Sequence, residues 1–207
     1  MSSNSSSSVN KIINGSKNLI VCFGGMILKS MGMPPFEFLN HLSSMYKDKC
    51  DLMFLVDKHQ CWYHQGIQGI TSSIDETVGY LNNIIQQGKY EKVIFMGISA
   101  GGYAAILFGS LCDNVNGVIS FIPQTRLIKP VNVQYSDLRR LINKTTNYIL
   151  YGDLSVKNRN DHHHILHCEH LNCFPNVKIL KNNKCNLKEL RDGGFIKKTI
   201  DSIILGL

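Results

Sequence analysis

The 207-residue chain has no apolar run approaching the 18 or so residues of a membrane-spanning helix, so no membrane span is expected. Its opening segment, "MSSNSSSSVN", has neither the basic nor the apolar stretch of a secretory leader and is expected to be part of a disordered tail over residues 1–15. A dense basic block is also missing. The formal net charge is +7, which favours an anionic partner, but Arg126, Lys129, Arg139, Arg140, Lys178 and Lys181 are spread along the chain, so no nucleic-acid partner is expected. "GISAGG" lacks the lysine of a phosphate loop and departs from G-x-G-x-x-G, which argues against nucleotide binding. Neither H-E-x-x-H nor paired C-x-x-C occurs, and no metal or cofactor is expected. Histidine is absent after His170, an absence that bears on catalysis below. The seven cysteines are odd in number, and Cys22 and Cys112 lie inside apolar segments, as buried hydrophobes do. A reducing, cytoplasmic compartment is the expectation.

What the chain does contain is alternation. Six short apolar runs, 18–23, 51–56, 92–97, 117–122, 147–152 and 177–180, are apolar at consecutive positions, as strands covered on both faces are. Between them, Ile74, Val78, Leu81 and Ile85 keep helical spacing, with Ser72 or Ser73 to cap the start and Gly88 to end it. Further helices are expected near 35–47, 100–112, 135–143, 162–173 and 186–205. With no internal repeat and no linker, residues 16–207 read as a single α/β domain, a three-layer sandwich on a mostly parallel sheet of about six strands. Sites in such folds lie at the carboxyl ends of the strands.

One such end carries chemistry. In "EKVIFMGISAGGYAAILFGSL" (91–111), Gly97-Ile98-Ser99-Ala100-Gly101 fits G-x-S-x-G between a β-like run and a helix rich in small residues. This is the setting in which a serine hydroxyl is exposed on a sharp turn, with glycines on either side where a Cβ would clash. The first long strand ends in Gly24-Gly25-Met26, and backbone N–H groups at Gly25 or Met26, with that of Ala100, are candidates for an oxyanion hole. Trp62, Tyr63 and His64 follow the second long strand, where aromatics can stack on a sugar and His64 can approach the elbow.

"VIFMGISAGGYAAILFG" followed by "VISFIPQT" resembles the α/β-hydrolase superfamily, and within it small, lidless esterase-like proteins found alongside polysaccharide and glycan genes. The resemblance extends to Pro123-Gln124-Thr125 and to a D…W-Y…G segment carried by Asp57, Trp62, Tyr63 and Gly66. It implies an ester-processing enzyme acting on an acylated carbohydrate or other small ester, with Ser99 as nucleophile and Trp62, Tyr63, His64 and Gln124 near the substrate. The triad order Ser, acid, His is where the chain departs from this pattern. Asp153 and Asp161 compete for the acid, and the resemblance favours Asp161 with His164 beside it. The loop after the last strand, where relatives keep the histidine, has Cys185 instead, and thiols are poor bases for a serine. Three readings follow: a histidine of "DHHHILHCEH" serves as base, the elbow serine acts weakly, or the scaffold is a non-catalytic carbohydrate- or protein-binding module. In that segment His163, His167 and His170 share one face if it is helical, a spacing that suits a solvated face more simply than a zinc site.

Overall fold

The computed structural model describes residues 7–26 and 36–206. Seven strands form one sheet: β1 (Val9–Ile12), β2 (Asn18–Phe23), β3 (Asp51–Leu55), β4 (Lys92–Ile98), β5 (Gly117–Phe121), β6 (Asn147–Asp153) and β7 (Val177–Asn182). Their spatial order is β1-β3-β2-β4-β5-β6-β7, and every neighbouring pair is parallel except β1 with β3. The six apolar runs are β2 to β7. The extra strand corrects the expected extent of the N-terminal tail, because Val9–Ile12 pairs antiparallel with Leu52–Leu55 on the sheet edge. Asn10 and Lys11 made this segment read as polar; Val9 and Ile12, three residues apart, lie on opposite faces and pack one against each core.

Alternate residues of the central strands feed two cores. Leu19, Val21, Phe23, Val93 and Phe95 pack with the helices α2 (Ile74–Gly88) and α3 (Ala100–Leu111). Ile20, Cys22, Ile94 and Met96 pack with α1 (Leu39–Tyr46), α5 (Leu187–Asp192) and α6 (Phe195–Leu205). This is why the central runs are apolar at consecutive positions: a strand buried on both faces has no solvent side. The Phe23 ring lies 5.6 Å from Tyr63, 5.5 Å from Phe95 and 5.4 Å from Phe108, and burial of each such side chain contributes roughly 1.5–3 kcal/mol. Helix α2 starts at Ser73, whose Oγ accepts from Glu76 N at 3.1 Å, while Glu76 Oε2 accepts in return from Ser72 N at 2.8 Å. Lys89, one residue past the expected stop at Gly88, takes the left-handed conformation that ends the helix.

The expected helix 186–205 is divided into α5 and α6 at Gly193-Gly194, where Gly194 takes φ 74°, and two other expected helices do not form over their full length. Residues 135–143 make short 3₁₀ turns at Val133–Tyr135 and Leu138–Arg140, and 162–173 contains only the single turn α4 (Leu166–Glu169). Side chains account for both outcomes. Asn132 Oδ1 accepts from Gln134 N, Asp137 Oδ1 from Arg139 N, Asn158 Oδ1 from Asn160 N and Asp161 Oδ1 from His163 N. Each such bond offers the backbone a turn in place of a helical partner. Among the described residues no helix is long and apolar enough to cross a membrane.

The strand register places the site. Phe23 lies opposite Gly97, and Gly97 opposite Ser120, so the carboxyl ends of β2, β4 and β5 are level. The loops that follow them, at Gly24-Gly25, Ser99 and Ile122-Pro123-Gln124, therefore meet at one edge.

Candidate active site

Ser99 sits between β4 and α3 with φ 53° and ψ −117°, a backbone conformation that costs a non-glycine residue on the order of 1–3 kcal/mol. The surroundings hold it there: Ser99 N donates to Phe121 O at 2.9 Å, and Tyr103 N donates to Ser99 O at 2.9 Å. The flanking glycines are required by close approach. A Cβ at Gly97 would lie 2.3 Å from Gly101 O, and one at Gly101 would lie 2.0 Å from Phe23 O. Helix α3 thus rests almost on the backbone of β2, which fixes the turn that lifts the Ser99 hydroxyl above the sheet.

Ser99 Oγ has two side-chain neighbours. His163 Nε2 is 2.8 Å away and Gln124 Nε2 is 3.3 Å away. Trp62 sets the roles. Its indole N–H, which can only donate, bonds Gln124 Oε1, so the other end of that amide is the NH₂ group and donates to Ser99 Oγ. The serine proton is then free to point at His163 Nε2, which accepts it if the ring is neutral with its proton on Nδ1. Burial lowers the pKa of His163, opposed by the nearby Asp161 carboxylate, and so favours this neutral form.

The other expected residues differ in how they stand to this pair. The imidazole at the serine belongs to His163, not to the neighbouring His164, whose Nδ1 accepts from Leu166 N at 3.1 Å and whose backbone bridges Asp153. Asp161 accepts from the backbone N of His163 at 2.8 Å, and its Oδ1 is 3.8 Å from His163 Nδ1. Asp161 therefore fixes the turn that presents the imidazole but stands beyond direct hydrogen-bond reach of the ring. Asp153, at the end of β6, is committed elsewhere: Oδ1 accepts from Ser155 N and Oγ, and Oδ2 from Cys185 N at 3.0 Å. Burial raises its pKa, but those hydrogen bonds outweigh burial and hold it below the usual range. The acid beside Cys185 is thus Asp153, where Asp161 had been expected. Burial, with Asp153 adding to it, pushes the Cys185 thiol up to about 12, so it is neither a thiolate nor a base.

Tyr63 and His64 belong to the scaffold. The Tyr63 ring is fully buried, and its hydroxyl bonds Gly24 O at 3.0 Å and Leu55 O at 3.1 Å. His64 Nδ1 accepts from Asn132 N at 2.9 Å. Its Nε2 lies 2.8 Å from the Tyr103 hydroxyl, which itself donates to Tyr135 O. Burial pushes His64 down to about 4, the state that this donor–acceptor pattern requires. Trp62 and Gln124 alone of the four expected substrate-side residues reach the serine's surroundings. Thr125 ties this loop to α4, with Oγ1 donating to His167 O at 2.6 Å and N donating to His167 Nδ1 at 3.1 Å.

Ala100 is the first residue of α3, so its N–H has no helical acceptor. Gly25 N–H is occupied: it donates to Glu37 Oε2 at 3.0 Å. Burial pushes the Glu37 carboxyl up to about 7, with the Gly25 hydrogen bond opposing the rise. Met26 lies half-buried in the same loop. Nothing in the sequence marked Glu37, which lies twelve residues beyond Gly25 and reaches it only through the fold. Among the described residues no three His, Cys, Asp or Glu side chains are placed to hold a metal ion.

No family model and no curated protein sequence matches the chain. Solved structures do resemble it. A lipase-esterase related protein from Clostridium acetobutylicum ATCC 824 superposes with a TM-score of 0.60 at 12% identity, covering 94% of this chain and 98% of its own. MGS-MChE2, an alpha/beta hydrolase enzyme from the metagenome of lagoon sediments at Mar Chica, Morocco, gives 0.58 at 12%, covering 93% and 91%. FphF, a fluorophosphonate-binding serine hydrolase of Staphylococcus aureus, gives 0.59 at 13%, covering 98% and 87%. At such identities the likeness is one of fold: the chain has a small α/β-hydrolase-like fold with a mostly parallel seven-stranded sheet.

Proposed function

We propose that the chain is a serine carboxylic-ester hydrolase in which Ser99 is the nucleophile and His163 the general base. The observation that carries this reading is the 2.8 Å approach of His163 Nε2 to Ser99 Oγ on a strained elbow. Ser99 Oγ attacks the ester carbonyl while His163 Nε2 takes its proton. The imidazolium then returns that proton to the departing alkoxide, leaving an acyl-serine. Water, deprotonated by the same nitrogen, cleaves the acyl-serine to the carboxylic acid and regenerates the hydroxyl. Ala100 N–H, with Met26 in the neighbouring loop, supplies the oxyanion donors. Asp161 Oδ1, 3.8 Å from Nδ1, stabilises the imidazolium electrostatically.

The resemblance of the elbow and of Pro123-Gln124-Thr125 to glycan-associated esterase-like proteins makes an acylated carbohydrate the substrate class we propose. The resemblance in fold to proteins described as esterase-related and fluorophosphonate-binding supports ester hydrolysis. The test is hydrolysis of 4-nitrophenyl acetate by the wild type and by Ser99→Ala, with the wild-type rate above the buffer rate and the variant at background. A second reading, a binding module that retains the scaffold, draws on two observations: Asp161 does not reach the ring, and Glu37 occupies Gly25 N–H. It predicts no turnover by the folded wild type.

A further inference from the structure

A cleft of about 700 Å³ is lined in part by Thr125, Arg126, Arg159, His162, His167 and His170, and so adjoins Gln124 and His163, the two residues whose side chains touch Ser99. Its two walls continue the two loops that touch Ser99. Thr125 and Arg126 follow Gln124, and His162 precedes His163.

The charge of this cleft is one-sided. Its single acid, Glu169, is paired with Lys181 Nζ at 2.5 Å, and Asp137 nearby is paired with His170 Nε2 at 2.7 Å. Among the described residues no carboxylate forms a direct ion pair with Arg126 or Arg159, both exposed. The Arg126 charge does reach Asp137: burial raises that carboxyl, but the His170 bond and Arg126 help hold it below its usual range. His167 Nδ1 accepts from Thr125 N, which places the ring proton of the neutral imidazole on Nε2, a donor that has no hydrogen-bond partner among the described residues. Two guanidinium groups and an imidazole N–H around one polar cleft match the oxygens of a carboxylate or a phosphate.

The position of the cleft against the loop that carries His163 also has a meaning. The imidazolium of His163 must protonate the leaving oxygen, so the alcohol part of an ester departs past the loop that carries His163. That loop is a wall of the cleft. We infer that the cleft binds the alcohol part of the substrate and that this part carries an anionic group, a carboxylate or a phosphate, held between Arg126 and Arg159. This deepens the esterase reading above and rests on it.

The test compares three acetates that share an acyl group and a phenolic leaving oxygen: 4-acetoxybenzoate, its neutral methyl ester, and 4-acetoxyphenyl phosphate. The expected kcat/KM of at least one anionic ester exceeds that of the neutral one by about tenfold or more, as one or two charge-assisted hydrogen bonds provide. The preference shrinks as salt is raised and falls to about one in Arg126→Ala/Arg159→Ala, while Arg159→Lys retains part of it. Which anion is preferred tells carboxylate from phosphate. Equal rates for all three esters, or a preference that survives the double substitution, overturns the inference.

Calorimetry on Ser99→Ala with 4-hydroxybenzoate and 4-hydroxyphenyl phosphate separates the two claims. If no ester is hydrolysed, the esterase reading fails and binding alone decides the cleft. Arginine-dependent heat supports an anion site, and no heat for either ligand refutes it.

Discussion

Glu37→Gln replaces a carboxyl that the fold holds near neutrality with an uncharged group of the same shape. The amide oxygen can still accept from Gly25 N–H, so the substitution isolates the charge. Burial lifts the Glu37 carboxyl from 4.5 to about 7 in the native protein. A carboxyl raised by folding stabilises the native state fully below pH 4.5, and that contribution is lost as the pH rises through 7. The interval corresponds to about 3 kcal/mol. Histidines that burial keeps neutral, such as His64 and His167, act at the acid end and are common to both proteins. The difference in unfolding free energy between Glu37→Gln and the wild type should therefore grow, in favour of the variant, by about 3 kcal/mol from pH 4.5 to pH 8.5. Urea unfolding reads this as a relative midpoint shift of about 1 M for a chain of this size. The esterase rate of the variant relative to the wild type should rise over the same interval, because an ionised Glu37 opposes an oxyanion forming near Gly25. A stability difference that does not change with pH would refute the placement of Glu37 in a desolvated pocket.

Three further outcomes are expected. Gly101→Ala, which brings a methyl group 2.0 Å from Phe23 O, should lower stability by about 3 kcal/mol or more or prevent folding, measurable as soluble yield and melting temperature. His64→Ala removes an imidazole bonded to Asn132 and Tyr103 and should cost about 2–4 kcal/mol in chemical denaturation. The variant that remains folded should keep its kcat, because His64 does not touch Ser99. Cys185→His places an imidazole beside the Asp153 carboxylate, in the loop after the last strand. Combined with His163→Ala it should recover part of the lost esterase rate if that loop reaches Ser99, and recover none if it does not.

The architecture was legible because strands buried on both faces are apolar at consecutive positions, as β2 to β5 and most of β6 are, and even the edge strand β7 keeps the run Val177, Ile179 and Leu180. β1 escaped notice because Val9-Asn10-Lys11-Ile12 has neither an apolar run nor an alternation and follows a Ser/Asn-rich stretch. The elbow could be read from Gly97, Ser99 and Gly101 because close approach leaves no alternative to glycine at two of these positions. The base was legible only as far as a cluster of histidines. Helical spacing pointed to His163, His167 and His170 on a common face, but Asx turns at Asn158 and Asp161 break that helix and send each ring to a different partner: Ser99, Thr125 and Asp137. The D-x-H turn at Asp161 was the one local signal that could have singled out His163. The roles of Tyr63, His64 and Glu37 depend on contacts between residues 8 to 68 positions apart, which no sequence pattern displays.

The central claim, that His163 activates Ser99, is tested most directly by the rate at which a fluorophosphonate probe labels the protein. Wild type and His164→Ala should be labelled at Ser99 at similar rates, Ser99→Ala should not be labelled, and His163→Ala should be slower by on the order of a hundredfold to ten-thousandfold. Equal labelling of His163→Ala and wild type, or a loss seen in His164→Ala instead, would contradict it.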